Sequence, residues 1–206
     1  AEEDGFPGEF TGYATLASEY IFRGVSLSDD EPAIQGSIDY ALGGFHAGVW
    51  GTSGEFGDGN IELDYTVGYG GEIDAYSYDV TLIYYTYPGD GGDGNYFEVV
   101  GTVGRDFGIV STVAGVGYTP EGQDAFAGDD ALYVFADVDV PIPNTPLSAG
   151  FHLGYEDFGV GGTRTHWTAG LFASFAGLEW GAQYVDTNRD GSGLGSRALF
   201  SVTKSF

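Results

Sequence analysis

Acidic residues that alternate with apolar ones are the clearest groups in this sequence that could do chemistry. Glu62 and Asp64 are separated by one apolar residue, and so are Asp137 and Asp139. Because successive side chains of a β-strand point to opposite faces, each pair would share one face of a strand whose other face is apolar. A surface lined in this way has a negative potential that attracts cations and repels anions.

The same alternation assigns ten acids and one base to the polar faces, and these are the candidate pore-lining residues: Glu19, Asp39, Glu62, Asp64, Asp79, Glu98, Asp137, Asp139, Glu156, Glu179 and Arg197. Two interpretations stay open. In the first, the acids line a wet lumen that favours cations. In the second, several acids pair with Arg23, Arg105 or Arg197, or accept hydrogen bonds from Tyr and Thr, and the interior is plugged.

Two acidic, Gly-rich loops are candidates for binding a cation. Asp186, Asn188 and Asp190 match the first half of a calcium loop, but its twelfth position is occupied by Arg197 instead of Glu, so an EF-hand is excluded. Asp90 and Asp93 offer a looser set of carboxylates. Such loops are usually solvated turns, so we keep Ca²⁺ in extracellular loops as a candidate and expect no other cofactor.

Enzymatic chemistry finds little support in the sequence. There is no Cys, which excludes thiol nucleophiles and thiolate metal sites. The three histidines are His46 and His152, which we place facing the lumen, and His166, which we place at the rim. None lies in a motif that would join it to a nucleophile and an orienting group. We therefore predict no catalytic residues and no enzyme activity.

Composition narrows the class of protein. A formal charge of −25 in 206 residues excludes nucleic acid as a partner. The 37 glycines and the 16% content of aromatic residues favour β-strands and tight turns. No apolar stretch approaches the roughly 18 residues of a membrane helix. A chain of β-strands is the expected architecture.

Twelve alternating segments can be traced, from one at 10–22 to a last one at 198–206. Short connections are expected near 43–44, 70–74, 106–108, 141–146 and 176–177, and long ones near 23–32, 53–60, 87–95, 120–130, 157–165 and 187–194. This asymmetry is typical of periplasmic turns and extracellular loops. We predict an all-β fold: one transmembrane antiparallel up-and-down β-barrel of 12 strands spanning 1–206, with 1–9 as a periplasmic N-terminal segment and both termini periplasmic.

A soluble β-sandwich or lipocalin-like barrel would alternate too, with its apolar face inward. Segment lengths near 9 to 11 residues favour the membrane barrel, and so do aromatics where apolar faces end. On the turn side these are Phe10, Tyr40, Phe45, Tyr69, Tyr76, Phe175, Trp180 and Phe206; on the loop side they are Tyr20, Phe22, Tyr118, Tyr155, Trp167 and Tyr184. The segment 109–119 is ambiguous in phase, and we take its even-numbered residues as outward.

The run Ser18-Glu19-Tyr20-Ile21-Phe22-Arg23-Gly24-Val25-Ser26, followed by Pro32-Ala33-Ile34-Gln35-Gly36, resembles the TorF family of porin-like proteobacterial outer-membrane proteins. The likeness continues at 48–51, 61–65, 84–89, 95–98 and 201–206, so it covers essentially the whole chain. The resemblance implies an outer-membrane barrel that forms a pore, without naming a solute. The strongly acidic balance departs from the family.

The expected function is a narrow, acidic-lined, cation-preferring pore for small solutes or ions in the bacterial outer membrane, with a signal peptide already removed before Ala1. Its expected partners are outer-membrane lipid, lipopolysaccharide and small solutes or cations; an oligomer stays open. Twelve strands is intermediate between filled and open barrels, and six bulky inward residues would narrow the interior: Tyr13, Trp50, Tyr85, Tyr133, Phe135 and Phe172. The alternative is a non-conducting structural or ligand- or Ca²⁺-binding barrel.

Overall fold

The alternating segments form strands in the computed structural model, which describes residues 7–91, 94–126 and 128–206. The strands are β1 (Glu9–Ala17), β2 (Ile21–Phe22), β3 (Val25–Ser26), β4 (Ala33–Leu42), β5 (Phe45–Phe56), β6 (Gly59–Ile73), β7 (Tyr76–Thr86), β8 (Tyr96–Asp106), β9 (Ser111–Thr119), β10 (Ala131–Pro141), β11 (Leu147–Asp157), β12 (Thr163–Phe175), β13 (Leu178–Thr187) and β14 (Arg197–Ser205). Two single-turn 3₁₀ helices, Asp124–Phe126 and Gly159–Gly161, lie in loops. Within the described ranges, no helix has the length and apolarity needed to cross a membrane.

Twelve of these strands close into one antiparallel barrel, as predicted; β2 and β3 pair only with each other. Each barrel strand pairs with its neighbours along the chain, and β1 closes the ring by pairing with β14 as well as β4. At the seam, the backbone N–H and C=O of Gly12 exchange two hydrogen bonds of 3.0 Å with Phe206. Closure leaves no unpaired strand edge in the ring.

The outer face of the barrel is apolar and the inner face is polar. Ile34, Phe45 and Phe206 are 68%, 66% and 72% exposed on the outside, whereas Glu98 and Glu156 are 1% exposed on the inside. The predicted outward parity is therefore confirmed for the barrel strands, including the ambiguous segment in β9, where Val116 and Tyr118 are exposed.

Exposed aromatic residues gather at both ends of the barrel. We call the end with Phe206 and the short connections the turn end, and the opposite end the loop end. The predicted turn-end aromatics lie on the outer face, with Phe10 and Phe175 61% and 71% exposed. At the loop end Tyr118, Tyr155, Trp167 and Tyr184 are exposed as predicted, and so are three that were missed: Tyr65, Tyr84 and Phe97.

Two predicted long connections are short in the structure. Strands β5 and β6 meet at residues 57–58, with an irregularity in register between Ser53 and Phe56, so the long link near 53–60 was wrong. Gly57 makes this tight turn possible because it adopts φ 58°. The link predicted at 157–165 shrinks to 158–162 because β12 begins at Thr163. In both places the strands continue further than the apolar pattern indicated.

The first strand was predicted too long. β1 ends at Ala17, and the chain leaves the barrel wall instead of continuing to Phe22. Arg23 and Gly24 have φ of 48° and 81° and reverse the chain between β2 and β3, as in two-residue hairpin turns with two positive φ angles. We call residues 18–32 the inner loop, since they fold into the barrel.

Candidate functional site

The inner loop occupies the loop end of the barrel interior. Tyr20, 4% exposed, packs with Ala33 and Phe56 in a small core, and its ring lies 5.6 Å from that of Trp50. Tyr20 and Phe22 were predicted as outward membrane-facing aromatics, and that prediction was wrong. The chain turns inward after Ala17, so the outward parity of β1 no longer applies to them.

Backbone hydrogen bonds tie the inner loop to the surrounding wall. Ser26 N–H donates to the Gly193 carbonyl at 2.7 Å, and Glu55 N–H donates to the Leu27 carbonyl at 2.7 Å. The Ser28 hydroxyl accepts from Tyr20 N–H at 2.9 Å and donates to the Glu31 carbonyl at 2.8 Å. The loop is therefore held from opposite sides by the β5 strand and the β13–β14 connection.

Arg23, at the tip of the inner loop, bridges two buried carboxylates on the wall. Its guanidinium contacts Glu98 and Glu156 at 2.6 Å each, and Arg164 contacts Glu156 at 2.6 Å from the other side. The guanidinium also lies 3.9 Å from the centroid of the Tyr133 ring. Two arginines and two glutamates balance in charge, which is the condition for burying such groups.

The charge of Arg23 is secured by these partners. Burial alone would lower the pKa of the guanidinium, but the attraction of Glu98 and Glu156 outweighs burial and raises the pKa above its ordinary value. Arg23 is thus a permanent positive charge in the interior. Because guanidinium groups form planar, multiple hydrogen bonds with carboxylates, the geometry at this position suits arginine better than lysine.

Gly24 allows the tip to lie directly against the wall. A Cβ at this position would come within 2.6 Å of His166 Cβ, and the residue adopts a φ of 81° that favours glycine. The Phe-Arg-Gly motif therefore combines an aromatic ring that packs against Tyr85, an arginine that pairs with wall carboxylates, and a glycine that lets the backbone approach His166.

Below the tip, three polar side chains and a carboxylate form a chain. His152 Nδ1 lies 2.7 Å from Asp137 Oδ1, and the Tyr133 hydroxyl lies 2.8 Å from His152 Nε2 and 3.2 Å from His166 Nε2. His166 is 2% exposed, so its predicted position at the rim was wrong. Strand β12 begins earlier than predicted, which turns His166 to the inner face.

Arg197, the predicted inward base, holds the other end of the inner loop. It forms ion pairs with Glu19 and, at 2.7 Å, with Asp30. Arg105 instead donates to the Tyr76 hydroxyl at 2.7 Å near the turn end. Of the three arginines proposed to pair with acids, Arg23 and Arg197 do so in the described part of the chain. Arg164 was missed.

Glu62 and Asp64 lie on the inner face, and no arginine in the described part of the chain forms an ion pair with either. Glu62 is 1% and Asp64 7% exposed, and among the described residues neither Glu62 Oε2 nor Asp64 Oδ1 has a hydrogen-bond partner. Glu62 Oε1 accepts a hydrogen bond of 3.3 Å from the Tyr87 hydroxyl. These two buried carboxylates contrast with Glu98 and Glu156.

The remaining acids that were predicted to line the interior are more exposed to solvent. Asp39 accepts a hydrogen bond of 2.6 Å from Ser37, and Asp79 lies 2.7 Å from His46 Nε2. Asp139 and Glu179 are exposed and line separate cavities towards the turn end. The residues predicted to line one interior surface thus fall into three groups. The first consists of Arg197 and the acids paired with an arginine, the second of the buried acids Glu62 and Asp64, which have no positive partner among the described residues, and the third of the more exposed acids.

Open space lies on both sides of the inner loop. A cavity of about 420 Å³ beneath its tip is lined by residues that include Phe22, Arg23 and Tyr133. A second, of about 270 Å³, is lined in part by Asp137, Asp139 and Phe172, and the two share His152, Thr168 and Gln183. A third, of about 400 Å³, lies at the loop end beside Asp29, Asp30 and Arg197. The inner loop separates the third cavity from the other two.

The loop candidates for Ca²⁺ do not form one group. Asp186 Oδ1 accepts from Thr187 N–H and Asn188 Oδ1 from Thr165 N–H, both at 2.8 Å; Asp190 follows in the β13–β14 connection. Asp90 lies beside the Gly57 turn, and Asp93 lies outside the described residues. Across the described ranges, no set of three or more His, Asp or Glu side chains is placed to hold a metal. Calcium in these loops stays a prediction.

Sequence alternation could have revealed Arg164 and His166. Thr163, Thr165 and Trp167 share one parity, so extending the segment backwards by two alternations would have placed Arg164 and His166 on the inner face. The role of Arg23 had no such signal, because its position depends on the reversal at Arg23-Gly24.

Comparisons with known proteins identify one family whose model matches this chain and several solved structures with a similar barrel. A model of a family described as "Bacterial protein of unknown function (Gcw_chp)" matches residues 1–205. No curated protein matches the sequence. Solved structures of a similar fold include "KdgM porin in complex with disordered oligogalacturonate", 9% identical, with 96% of this chain and 99% of that chain covered and a TM-score of 0.66.

Two further structures are similar over their whole length. The NanC porin is 9% identical, with 95% of this chain and 98% of that chain covered and a TM-score of 0.62. The COG4313 outer membrane channel from Pseudomonas putida F1 is 10% identical, with coverages of 97% and 96% and a TM-score of 0.56. At these identities the likeness establishes a shared barrel fold.

Proposed function

Because this chain belongs to the bacterial Gcw_chp family, whose function is unknown, and has the fold of outer-membrane porins, we propose that it is a porin-like barrel of the bacterial outer membrane. It passes small solutes or cations through a narrow interior. The resemblance of its Phe-Arg-Gly region to the TorF family agrees with this assignment, and we extend that family's expected role to this chain.

Placement in a membrane is supported by the outer surface. Large apolar side chains such as Ile38, Val67 and Leu171 are 63%, 53% and 56% exposed in the middle of strands. Aromatic residues surround the barrel at both ends, where a lipid bilayer meets water. We therefore propose outer-membrane lipid and lipopolysaccharide as the partners of this surface.

A narrow, gated interior is supported by one observation above all: the ion pairs of Arg23 with Glu98 and Glu156. They hold the inner loop between the cavity at the loop end and the cavities beneath it. A solute crossing the barrel has to pass this loop. The same contacts favour the second candidate, a barrel that is closed at rest and serves a structural or ligand-binding role.

Cation preference is supported by the charges that remain after internal pairing. Arg23, Arg164 and Arg197 each contact a carboxylate, whereas Asp139 and Glu179 have none of the ion pairs found among the described residues. The cavities below the inner loop therefore have an excess of negative charge. In a confined interior, such an excess raises the local concentration of cations. We assign the histidines to the lining and propose no catalytic role for them.

Single-channel recording of the purified, folded protein in a planar bilayer under a KCl gradient tests this function. We expect small conductance steps with a reversal potential that favours K⁺. Absence of conductance from protein whose insertion is verified would refute the pore and support the non-conducting barrel. A reversal potential favouring Cl⁻ would refute the cation preference alone.

A further inference from the structure

Glu62 and Asp64 are two buried carboxylates for which the described residues supply no positive charge. At 1% and 7% exposure they are removed from solvent, and each has an oxygen without a hydrogen-bond partner in the described chain. Transferring an ionised carboxylate out of water costs far more than a neutral polar group unless it is paired. Something outside the described side chains has to neutralise this pair.

The other fully buried carboxylates show how this protein normally meets that requirement. Glu98 contacts Arg23, and Glu156 contacts both Arg23 and Arg164, all at 2.6 Å. Glu62 has an equally buried position on the inner face. No Lys, Arg or His among the described residues forms an ion pair with it or with Asp64, so the pair differs in kind from its neighbours.

Tyrosine hydroxyls surround Glu62, and they contribute hydrogen bonds but no charge. Tyr87 donates to Glu62 Oε1 at 3.3 Å, and the Tyr20 hydroxyl also interacts with the Glu62 carboxylate. A tyrosine hydroxyl carries no positive charge, so these contacts orient Glu62 without neutralising the pair.

We propose that Glu62 and Asp64 together bind one hard divalent cation of the Ca²⁺ type, at a site distinct from the loop carboxylates. As residues i and i+2 of β6, they share the inner face with Cα atoms roughly 6.5 Å apart, a separation that two carboxylates can span to reach one ion. The available donors are oxygens, which Ca²⁺ prefers at about 2.3–2.6 Å, whereas softer metals favour nitrogen and sulfur.

The charge and position of the pair favour a divalent ion and give it a structural role. One dication cancels two carboxylates, whereas a monovalent ion leaves one negative charge buried. Because Tyr20 belongs to the inner loop and Glu62 to β6, an ion at Glu62 would brace the loop against the wall at a second point besides Arg23. Binding does not require that the barrel conducts, so this site and the proposed pore can fail separately.

Terbium luminescence tests the site, since Tb³⁺ replaces Ca²⁺ and is sensitised by nearby Tyr20, Tyr87 and Trp50. The whole folded chain in detergent is stripped with EDTA and titrated with Tb³⁺, and Ca²⁺ is then added in competition. We expect one saturable, Ca²⁺-displaceable site in the wild type. The E62Q/D64N double variant should lose it, whereas D139N/E179Q, which removes two open inner acids, should retain it.

Thermal unfolding provides the second readout. CaCl₂ should raise the Tm of the wild type and of D139N/E179Q, but leave that of E62Q/D64N unchanged. The Tyr87→Phe variant keeps both carboxylates and loses a hydrogen bond that orients Glu62, so its Ca²⁺ affinity should fall about tenfold or more. This variant keeps the test valid if the double variant does not fold.

Two results would overturn the proposal. One is a wild type with no saturable Tb³⁺ signal and no Tm response to CaCl₂, which would mean that protons neutralise the pair. The other is a displaceable site that persists in E62Q/D64N and is unaffected by Tyr87→Phe, which would place the ion in the loops.

Discussion

Arg23 and Glu98, 75 residues apart in the chain, are joined across the barrel interior by two hydrogen bonds of 2.9 and 2.6 Å from one guanidinium nitrogen. The contact connects the tip of the inner loop to β8, and Glu156 on β11 completes it from the other side. The inner loop is thus tied to two strands of the barrel wall by a single side chain.

Replacing Arg23 by Ala should open the interior and weaken the fold. Glu98 would be left buried without a counter-charge, while Glu156 keeps Arg164. Breaking one buried pair typically costs 3–5 kcal/mol, so we expect a loss of about 3 kcal/mol in the free energy of unfolding, together with a larger single-channel conductance.

Urea unfolding and bilayer recording measure these two effects. Arg105→Ala is the matched control, because it removes an arginine that contacts Tyr76 instead of a buried acid, and it should change neither quantity. An Arg23→Ala variant with wild-type conductance would show that the inner loop stays in place without the ion pairs. An Arg23→Lys variant should keep only part of the wild-type stability, because a lysine ammonium group lacks the planar set of donors of a guanidinium.

Gly24→Ala should disturb the contact between the inner loop and β12. The added Cβ meets His166 at 2.6 Å and also has to adopt a φ of 81°, so we expect a destabilisation of more than about 1 kcal/mol. Gly122→Ala is a stringent control, because Gly122 has a φ of 87° but nothing within 4 Å of an added Cβ.

Thermal unfolding of the two alanine variants distinguishes the cost of a positive φ angle from the cost of the steric contact with His166. A similar loss of stability in both would mean that only backbone strain matters and that Gly24 does not require the close approach to His166. A markedly larger loss in Gly24→Ala is the expected result.

An arginine introduced on the outer face should be costly in lipid. Val67, 53% exposed near the middle of β6, faces outwards, whereas the adjacent Thr66 faces the interior beside Gly48. We expect Val67→Arg to destabilise the barrel in vesicles by about 2–4 kcal/mol. Thr66→Arg should be tolerated better because acids line the interior. Equal stability of Val67→Arg and the wild type would argue against a lipid-facing surface.

Neutralising the open inner acids should reduce ion selectivity. Asp139→Asn together with Glu179→Gln removes two negative charges from the cavities below the inner loop, so the reversal potential under a KCl gradient should move towards zero. Asp186→Asn, near the loop end of β13 and outside the lining of these cavities, provides the control. A selectivity unchanged by the double substitution would place the selective charges elsewhere, at Asp39, Asp79 or Asp137.

Residue alternation predicted most of the wall because a β-strand has a period of two. Once Leu63 and Tyr65 are taken as lipid-facing, Glu62 and Asp64 have to point inwards, and the same argument gives the correct face for all twelve barrel strands. It failed at 18–22, where the alternation continues although the strand ends. Nothing in Ser18–Phe22 marks the departure, because the reversal depends on positive φ angles at Arg23 and Gly24.

The sequence by itself determined the strand number, the two faces of each barrel strand and an acidic interior, because these follow from local periodicity and composition. Tertiary structure alone decided which acids are neutralised. Arg23 contacts Glu98 and Glu156 because the closed barrel and the folded inner loop bring them together, and no arginine in the described ranges forms an ion pair with Glu62 or Asp64. Charge pairing is set by distances in space, and those distances arise from closure of the barrel.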